Sequence, residues 1–299
     1  MDQTNSRFTF KNANLAYISF FSTSEKQKEN KKNSSDFDKK PGNILLFHAT
    51  GYSALSYRPL IRLLTESGRY VHALNFLGHG GSESGEFHSW YDFRDQVTAF
   101  ASHIGEKNLD AVGHSIGGAT MLLSQAKEGL FRRCAALDPV VLSPFVSRLA
   151  PFLPHPLALK ADKRRANFKN LEIVRRSYRM VKEFKYWTDD SFDGYLESAF
   201  KKNESGYELV LPPHTEAAVF RSFNGGHWGW YKKLKSPVLV IAHRGATETP
   251  AKSARRLASG NSHSRFIPYE EDSHFFPMEK PEWTATQILD FFDADFGEQ

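Results

Sequence analysis

A serine between two glycines is the residue best placed to do chemistry. Residues 113–117 read Gly-His-Ser-Ile-Gly, after an apolar stretch and before a helical one. A serine on a sharp turn between a strand and a helix has a strained backbone, which requires small neighbours two residues away. Gly113 and Gly117 meet that requirement, so the pattern predicts that Ser115 is a nucleophile exposed above a sheet. The N-terminus of the following helix favours the negative charge that would develop there.

A second candidate is the segment Phe-His-Ala-Thr-Gly-Tyr at 47–52, where a predicted buried strand ends. A turn at this point can aim a backbone N–H at the space above the serine. We expect the N–H of Thr50, with Ala49 and Gly51 as neighbouring candidates, to form an oxyanion hole with the N–H of Ile116.

The chain has twelve histidines, and the position of each in the predicted fold indicates whether it could act as the general base. The base must have a near-neutral pKa and lie on a loop that faces the nucleophile. His274, in the segment 270–277 between the last predicted strand and the closing helix, meets this description. His48 is interpreted as a structural histidine bonded to the loop backbone, with a catalytic role as the alternative. His79 is expected to shape a loop and His114 to pack beside the serine turn. Neither His79 nor His114 has a carboxylate or second histidine at the spacing that metal ligands on a common helix show, so we predict no metal site.

These residues need a scaffold, and apolar runs alternate with amphipathic stretches along the chain. A hairpin is predicted at 8–10 and 15–18, with a turn that includes 12–14. Buried strands are then predicted at 43–47, 70–76, 109–112, 134–137, 237–242 and 265–268. Helices are predicted at 55–67, 90–104, 116–129 and 283–292. This alternation predicts an α/β fold with a mostly parallel central sheet and helices on both faces.

The alternation stops after the fourth of these strands. Two amphipathic helices fit there, one around Leu171 to Phe184 and the other around Phe192 to Phe200. We therefore predict a helical lid at 141–220, inserted into a core formed by 1–140 and 221–299. Within the core, residues 22–42 are rich in Lys, Ser and Asn and predict a mobile surface loop.

Composition excludes several classes of protein. With 299 residues, 40% of them hydrophobic and 24% charged, collagen-like, low-complexity and fully disordered chains are excluded. The net charge of +5 is too diffuse to predict a nucleic-acid partner. A single cysteine, Cys134, excludes an internal disulfide and suits a reducing compartment. No secretory signal or membrane-spanning run is visible, so we expect a soluble cytoplasmic protein.

The predicted lid is basic and aromatic. Residues 160–185 hold ten Lys or Arg against three Asp or Glu. This charge suits weak contact with acidic lipid headgroups or an anionic substrate; a solvated outer face of the lid helices is the alternative. Phe184, Tyr186 and Trp187 are candidates to line a pocket for an apolar acyl group, which predicts a small-molecule substrate.

The chain resembles the α/β-hydrolase family, in particular its lid-bearing serine esterases and lipases. The matching segments are the His-Ala-Thr-Gly-aromatic segment 48–52, the Gly-His-Gly-Gly-Ser segment 78–82, the serine turn 113–117, Leu-Asp-Pro at 137–139, Ser273-His274 and 279–282. The resemblance implies a triad in the order serine, acid, histidine and no cofactor, but it does not supply a substrate. Our leading hypothesis is hydrolysis of a carboxylic ester through an acyl-serine. Thioester, lactone and C–C bond hydrolysis remain open, as does a receptor-like member that binds a ligand with little turnover.

The acid of the implied triad departs from the family pattern. Family members usually carry an aspartate three residues beyond a glycine, after the strand that here ends at Ala242. This chain has Glu248 at that spacing from Gly245, and we favour it as the acid. A minority of the family place the acid after the preceding strand, where Asp138 stands. Asp138 also has a structural interpretation, since Asp-Pro commonly ends a strand at a turn.

Overall fold

An eight-stranded sheet lies at the centre of the structure, a computed structural model that describes residues 1–22, 42–149, 155–223, 227–243 and 248–296. The strands in these ranges are β1 (Asp2–Phe10), β2 (Ala13–Phe21), β3 (Ile44–Phe47), β4 (Val71–Leu74), β5 (Asp110–His114), β6 (Arg133–Leu137), β7 (Asn167–Phe168), β8 (Phe200–Asn203), β9 (Gly206–Leu209), β10 (Val238–His243) and β11 (Arg265–Tyr269). The helices are α1 (Arg58–Glu66), α2 (Trp90–Ile104), α3 (Ile116–Glu128), α4 (Pro144–Leu149), α5 (Pro156–Asp162), α6 (Leu171–Arg179), α7 (Asp189–Ala199), α8 (Pro213–Arg221), α9 (Trp228–Tyr231), α10 (Glu248–Ala258), α11 (Phe276–Glu279) and α12 (Pro281–Phe292).

The strand order of the central sheet is β1-β2-β4-β3-β5-β6-β10-β11. The β1–β2 and β2–β4 pairs are antiparallel, and every pair from β4 to β11 is parallel. All four residues of β3 are buried, as a strand covered on both faces requires. The mostly parallel α/β fold is therefore confirmed. The carboxyl ends of the parallel strands meet at one edge, where such sheets bind their ligands.

The hairpin is longer than predicted, and its turn lies elsewhere. The turn consists of Lys11 and Asn12, with Lys11 in the left-handed region at φ 52°, and Phe10 pairs with Ala13. The prediction of a turn that includes 12–14 is wrong because a tertiary contact extends the second strand. The backbone and side-chain nitrogens of Asn14 both donate to the Glu83 carboxylate, at 2.8 and 3.0 Å.

The segment between β6 and β10 contains the two predicted amphipathic helices as α6 and α7. It also contains a small antiparallel sheet of order β7-β9-β8, which the sequence did not predict. These strands have two to four residues, too few for a recognisable alternation. Helix α7 packs closely on the turn after β3, since a Cβ on Gly194 would lie 2.0 Å from the carbonyl oxygen of Leu55. The lid boundaries at 141–220 stay a prediction.

Two further predictions concern chain segments and membranes. The predicted mobile loop lies almost wholly at 23–41, outside the described residues, and stays a prediction. Among the residues that are described, each helix is too short or too polar to cross a membrane.

Candidate active site

Ser115 lies on the turn between β5 and α3 with φ 56° and ψ −120°. Residues other than glycine rarely adopt a positive φ. Two backbone hydrogen bonds hold it there. Its N–H donates to the carbonyl of Leu137 at 2.9 Å, and its carbonyl accepts from the N–H of Val140 at 3.3 Å. The neighbouring strand β6 and the residues after it therefore sustain the strain at the candidate nucleophile.

The two glycines around Ser115 permit very close backbone contacts. A Cβ on Gly113 would lie 2.7 Å from the carbonyl oxygen of Gly117. A Cβ on Gly117 would lie 2.4 Å from the carbonyl oxygen of Phe47, at the end of β3. The turn thus needs both glycines, for the steric reason that the motif predicted, and it contacts the strand that leads into the candidate oxyanion loop.

Hydrogen bonds distinguish the three candidate donors in the oxyanion loop. The N–H of Ala49 donates to the Tyr57 hydroxyl at 3.0 Å, and the N–H of Gly51 donates to Nε2 of His79 at 3.1 Å. The N–H of Thr50 has no acceptor within the described ranges. The N–H of Ile116 belongs to the first turn of α3, where the helix offers no carbonyl acceptor. These last two amides are thus available as donors, and their role as an oxyanion hole stays a prediction.

His274 follows β11, and its Nδ1–H donates to Oδ2 of Asp138 in a short hydrogen bond. The Nδ1 proton leaves Nε2 as the ring atom that can accept a proton. Asp138 directly follows β6, is buried, and has a φ of 42°. Strand β6 lies between β5 and β10, which brings its end close to the end of the nucleophile strand.

The structure pairs His274 with Asp138, the alternative to the favoured Glu248, and the identity of the triad acid stays a prediction. An imidazole carries one proton on Nδ1, and here Asp138 accepts it. Helix α10 begins at Glu248, whose side chain lies outside the described part of the chain. The family's usual spacing favoured Glu248, whereas the order of strands in the sheet places Asp138 beside His274.

His243, the last residue of β10, also binds Asp138 and was not singled out from the sequence. Its Nδ1–H donates to Oδ2 at 2.7 Å, and its backbone N–H donates to Oδ1 at 3.2 Å. Burial opposes ionisation of Asp138, but the hydrogen bonds from His243 and His274 outweigh it and lower the pKa of this carboxyl. Burial likewise opposes the charged form of His243, yet the bond to Asp138 raises its pKa above the usual value. Strands β6 and β10 pair in parallel, so the end of β10, with His243, lies next to Asp138 at the end of β6. A prediction that these two strands are neighbours would have identified His243.

A hydrogen-bond chain connects the candidate oxyanion loop to His274. Tyr57 accepts from Ala49 and donates its hydroxyl proton to Nδ1 of His114 at 2.7 Å. Nε2–H of His114 then donates to the carbonyl of His274 at 2.9 Å. Burial lowers the pKa of His114 to about 3, so this ring is neutral and its tautomer is set by its partners.

The remaining two predicted histidines support the backbone near the site. His48 donates from Nδ1 to the carbonyl of Ala49 at 2.8 Å and accepts at Nε2 from the N–H of Phe76 at 3.0 Å. Both of its ring nitrogens are thus occupied, which suits the structural interpretation. His79 accepts at Nε2 from the N–H of Gly51, and its Nδ1–H donates to the carbonyl of Leu77 at 2.9 Å. Burial lowers the pKa of His79 to about 4.

Aromatic rings from the segment between β6 and β10, and one ring from the loop after β11, pack against Tyr52 of the candidate oxyanion loop. The ring of Tyr52 lies 5.3 Å from that of Trp187, 6.3 Å from that of Phe184 and 5.5 Å from that of Phe275, measured between centroids. Tyr186, the third aromatic candidate, is 63% exposed. A small cavity beside the cluster is lined in part by Gly51, Tyr52, Arg164, Ser198, Leu209 and Leu211.

Carboxylates neutralise much of the basic stretch 160–185. The pairs are Lys160–Glu183, Arg164–Glu216, Arg175–Asp193, Arg176–Glu172, Arg179–Asp189 and Lys182–Asp272. These pairs reduce the charge available to an acidic surface and favour the solvated-face interpretation. Contact with a membrane stays a prediction.

The fold and the site define a class of protein. The chain belongs to the alpha/beta hydrolase family, whose model matches residues 44–287. A search of curated proteins finds no match.

Solved structures with the same fold differ in the reactions that their names describe. An E-2-(acetamidomethylene)succinate hydrolase is 17% identical with a TM-score of 0.77, over 98% of this chain and 100% of that one. A thioesterase domain from the curacin biosynthetic pathway is 13% identical with a TM-score of 0.74, over 97% and 99%. The enol-lactonase from Burkholderia xenovorans LB400 is 16% identical with a TM-score of 0.67, over 97% and 100%. At these identities the likeness shows the fold alone.

Proposed function

We propose that the protein is a serine hydrolase that cleaves a carboxylic ester through an acyl-serine intermediate. The observation that carries the proposal is the hydrogen bond between His274 and Asp138 at the sheet edge where Ser115 occupies a strained turn. Nucleophile, base and acid are the parts that acyl transfer to a serine requires.

The reaction follows from the positions of protons in the site. Ser115 Oγ attacks the carbonyl carbon of the ester while its proton moves to Nε2 of His274. The tetrahedral oxyanion accepts hydrogen bonds from the N–H groups of Thr50 and Ile116. As the carbon–oxygen bond breaks, the imidazolium returns the proton to the departing alkoxide. Water then attacks the acyl-serine by the same route and releases the carboxylic acid.

Asp138 serves this reaction through His274. It keeps the imidazole proton on Nδ1, so that Nε2 is free to accept the serine proton, and it stabilises the imidazolium that forms. The low pKa of Asp138 keeps it ionised at neutral pH, as this role requires.

We propose a small, largely apolar acyl group as the substrate and the inserted segment as a lid over it. The aromatic cluster around Tyr52 and the leucines at 209 and 211 offer apolar contacts beside the oxyanion loop. We expect short acyl chains, because the aromatic rings around Tyr52 pack against one another and limit the space beside the loop. Thioester, lactone and C–C bond cleavage would use the same groups, so the bond type must be tested directly.

A substrate panel tests this proposal. We expect wild-type protein to hydrolyse p-nitrophenyl acetate and butyrate faster than the decanoate and palmitate, and to prefer esters over matched thioesters and lactones. Ser115→Ala should lose on the order of 10⁶ in turnover while it keeps the wild-type melting temperature, because the nucleophile is gone and the fold is intact. A purified variant that retains more than a tenth of wild-type turnover would exclude Ser115 as the nucleophile.

A further inference from the structure

We propose that Asp138, His243 and His274 form a binding site for a divalent transition-metal ion such as Zn²⁺, and that the bound ion switches off the hydrolase. Each residue offers one ligand atom, and the three ligand atoms lie within 4.8 Å of one another. Two imidazole nitrogens and one carboxylate oxygen form a ligand set that binds Zn²⁺ and leaves a position for solvent.

Little movement separates the present hydrogen bonds from metal coordination. His243 Nδ1 lies 2.7 Å from Asp138 Oδ2, with a proton between them. Tetrahedral ligands at about 2.0–2.2 Å from an ion are about 3.4 Å apart. His243 Nδ1 and Asp138 Oδ2 must therefore separate by about 0.7 Å, and ligand atoms at the far limit of 4.8 Å must approach by about 1.4 Å. The His274 and His243 side chains are 32% and 15% exposed, which gives an ion a path from solvent.

The Asp272 carboxylate lies near the ring nitrogen of His243 that would not bind the metal. Oδ1 of Asp272 lies 3.7 Å from Nε2 of His243, on the opposite side of the ring from Asp138. When Nδ1 binds a metal, the neutral ring carries its proton on Nε2, which here faces Asp272. Such a carboxylate partner is the usual companion of a metal-bound histidine.

The inhibition follows from the tautomer of His274, and this consequence rests on the proposed function. A metal bound at Nδ1 takes the position of that proton, so the neutral ring carries its proton on Nε2. Nε2 is then a donor and cannot accept the proton of Ser115. The ion therefore replaces the proton between His274 and Asp138 and also prevents His274 from acting as the base. Binding of the ion itself does not depend on the proposed hydrolase activity.

Spacing along the sequence does not reveal this site. Asp138 and His243 follow or end neighbouring strands, and His274 comes from the loop after β11. The three residues are brought together only by the order of strands in the sheet.

Titration of Ser115→Ala protein with Co²⁺ tests binding apart from catalysis. We expect one equivalent to bind with visible absorption bands typical of low-coordinate Co²⁺, and Zn²⁺ to displace it. Adding His243→Asn should weaken binding about 100-fold, because asparagine keeps a donor toward Asp138 but removes the imidazole ligand. Adding His88→Asn is the matched control, since His88 is 76% exposed and outside the site; its binding should not change.

Two further measurements complete the test. Asp272→Asn should weaken Co²⁺ binding about tenfold, which keeps the proposal testable if the His243 variant misfolds. In wild-type protein, Zn²⁺ should abolish turnover at the concentration that fills the site, and EDTA should restore it. Absent Co²⁺ bands, or binding that none of the site variants weakens, would overturn the metal site. Binding at the site without loss of turnover would overturn the inhibition.

Discussion

Asp138 has the environment of a triad acid. It accepts hydrogen bonds from two histidines, is buried, and has a backbone conformation with positive φ. Apart from glycine, asparagine is the uncharged residue that best tolerates that conformation, so Asp138→Asn removes the charge with little strain.

Asp138→Asn should lower turnover about 10³–10⁴-fold, because the amide no longer favours the Nδ1–H tautomer of His274 or stabilises its charged form. Initial rates of ester hydrolysis, with the melting temperature as the check on folding, measure this. Glu248→Gln is the matched control and should change turnover less than threefold. The reverse result, an active Asp138→Asn and an inactive folded Glu248→Gln, would return the acid to Glu248.

Tyr57→Phe should destabilise the protein by about 1–3 kcal/mol. The loss of its hydroxyl leaves the buried N–H of Ala49 and Nδ1 of His114 without their partner. Urea denaturation measures the change in the free energy of unfolding. Tyr17→Phe is a control, because the Tyr17 hydroxyl bonds His103 in an exposed position at 3.3 Å. Equal stability of the Tyr57 variant and wild type would show that the buried chain contributes nothing.

Motifs predicted residues whose roles depend on local geometry. Ser115 was found because a strand, two glycines and a helix are contiguous in sequence, and the close contacts of Gly113 and Gly117 explain that pattern. Asp138 and His243 act through long-range contacts, so their importance depends on which strands are neighbours. Local patterns do not determine that order.

Long or fully buried strands and helices were predicted from the sequence more readily than short, partly exposed ones. Strands such as β3 are continuous apolar runs because both of their faces are covered, and this pattern is visible in the sequence. Helix α2 has the predicted bounds 90–104, and the next residue, Gly105, has φ 67°, the left-handed conformation that ends a helix. The small β7-β9-β8 sheet was missed because its strands are short and their pairing depends on distant partners.

Deletion of residues 23–39 should leave turnover and melting temperature nearly unchanged. The segment has few apolar side chains that could anchor it. Phe20 and Ile44 both pair with Val71 from opposite sides of β4, so they are about 10 Å apart. Residues 21, 22 and 40–43 remain and reach about 20 Å, enough to connect the two strands.

Differential scanning calorimetry of the deletion variant checks this expectation. A replacement of the same residues by a glycine–serine linker of equal length is the control for shortening of the connection. A fall of many degrees in both variants would mean that the native segment packs against the body of the protein.

At the scale of the whole molecule, His243 predicts how stability changes with pH. Its pKa is raised in the folded state, so its bond with Asp138 contributes fully below the unfolded value of about 6.5 and loses that contribution as pH rises through the folded pKa. The stability difference between wild type and His243→Asn should therefore be larger at pH 5.5 than at pH 9. Urea denaturation of both proteins across this range measures it, and a constant difference would contradict the raised pKa.

The central claim is that this alpha/beta hydrolase carries an activated serine at position 115. A fluorophosphonate probe, followed by mass spectrometry of the intact protein and its peptides, tests that claim most directly, since it requires no knowledge of the substrate. We predict one probe per folded wild-type chain, located on Ser115, with slower labelling in Asp138→Asn and none in Ser115→Ala. A folded wild-type protein that is unlabelled, or labelled equally after Ser115→Ala, would contradict the claim.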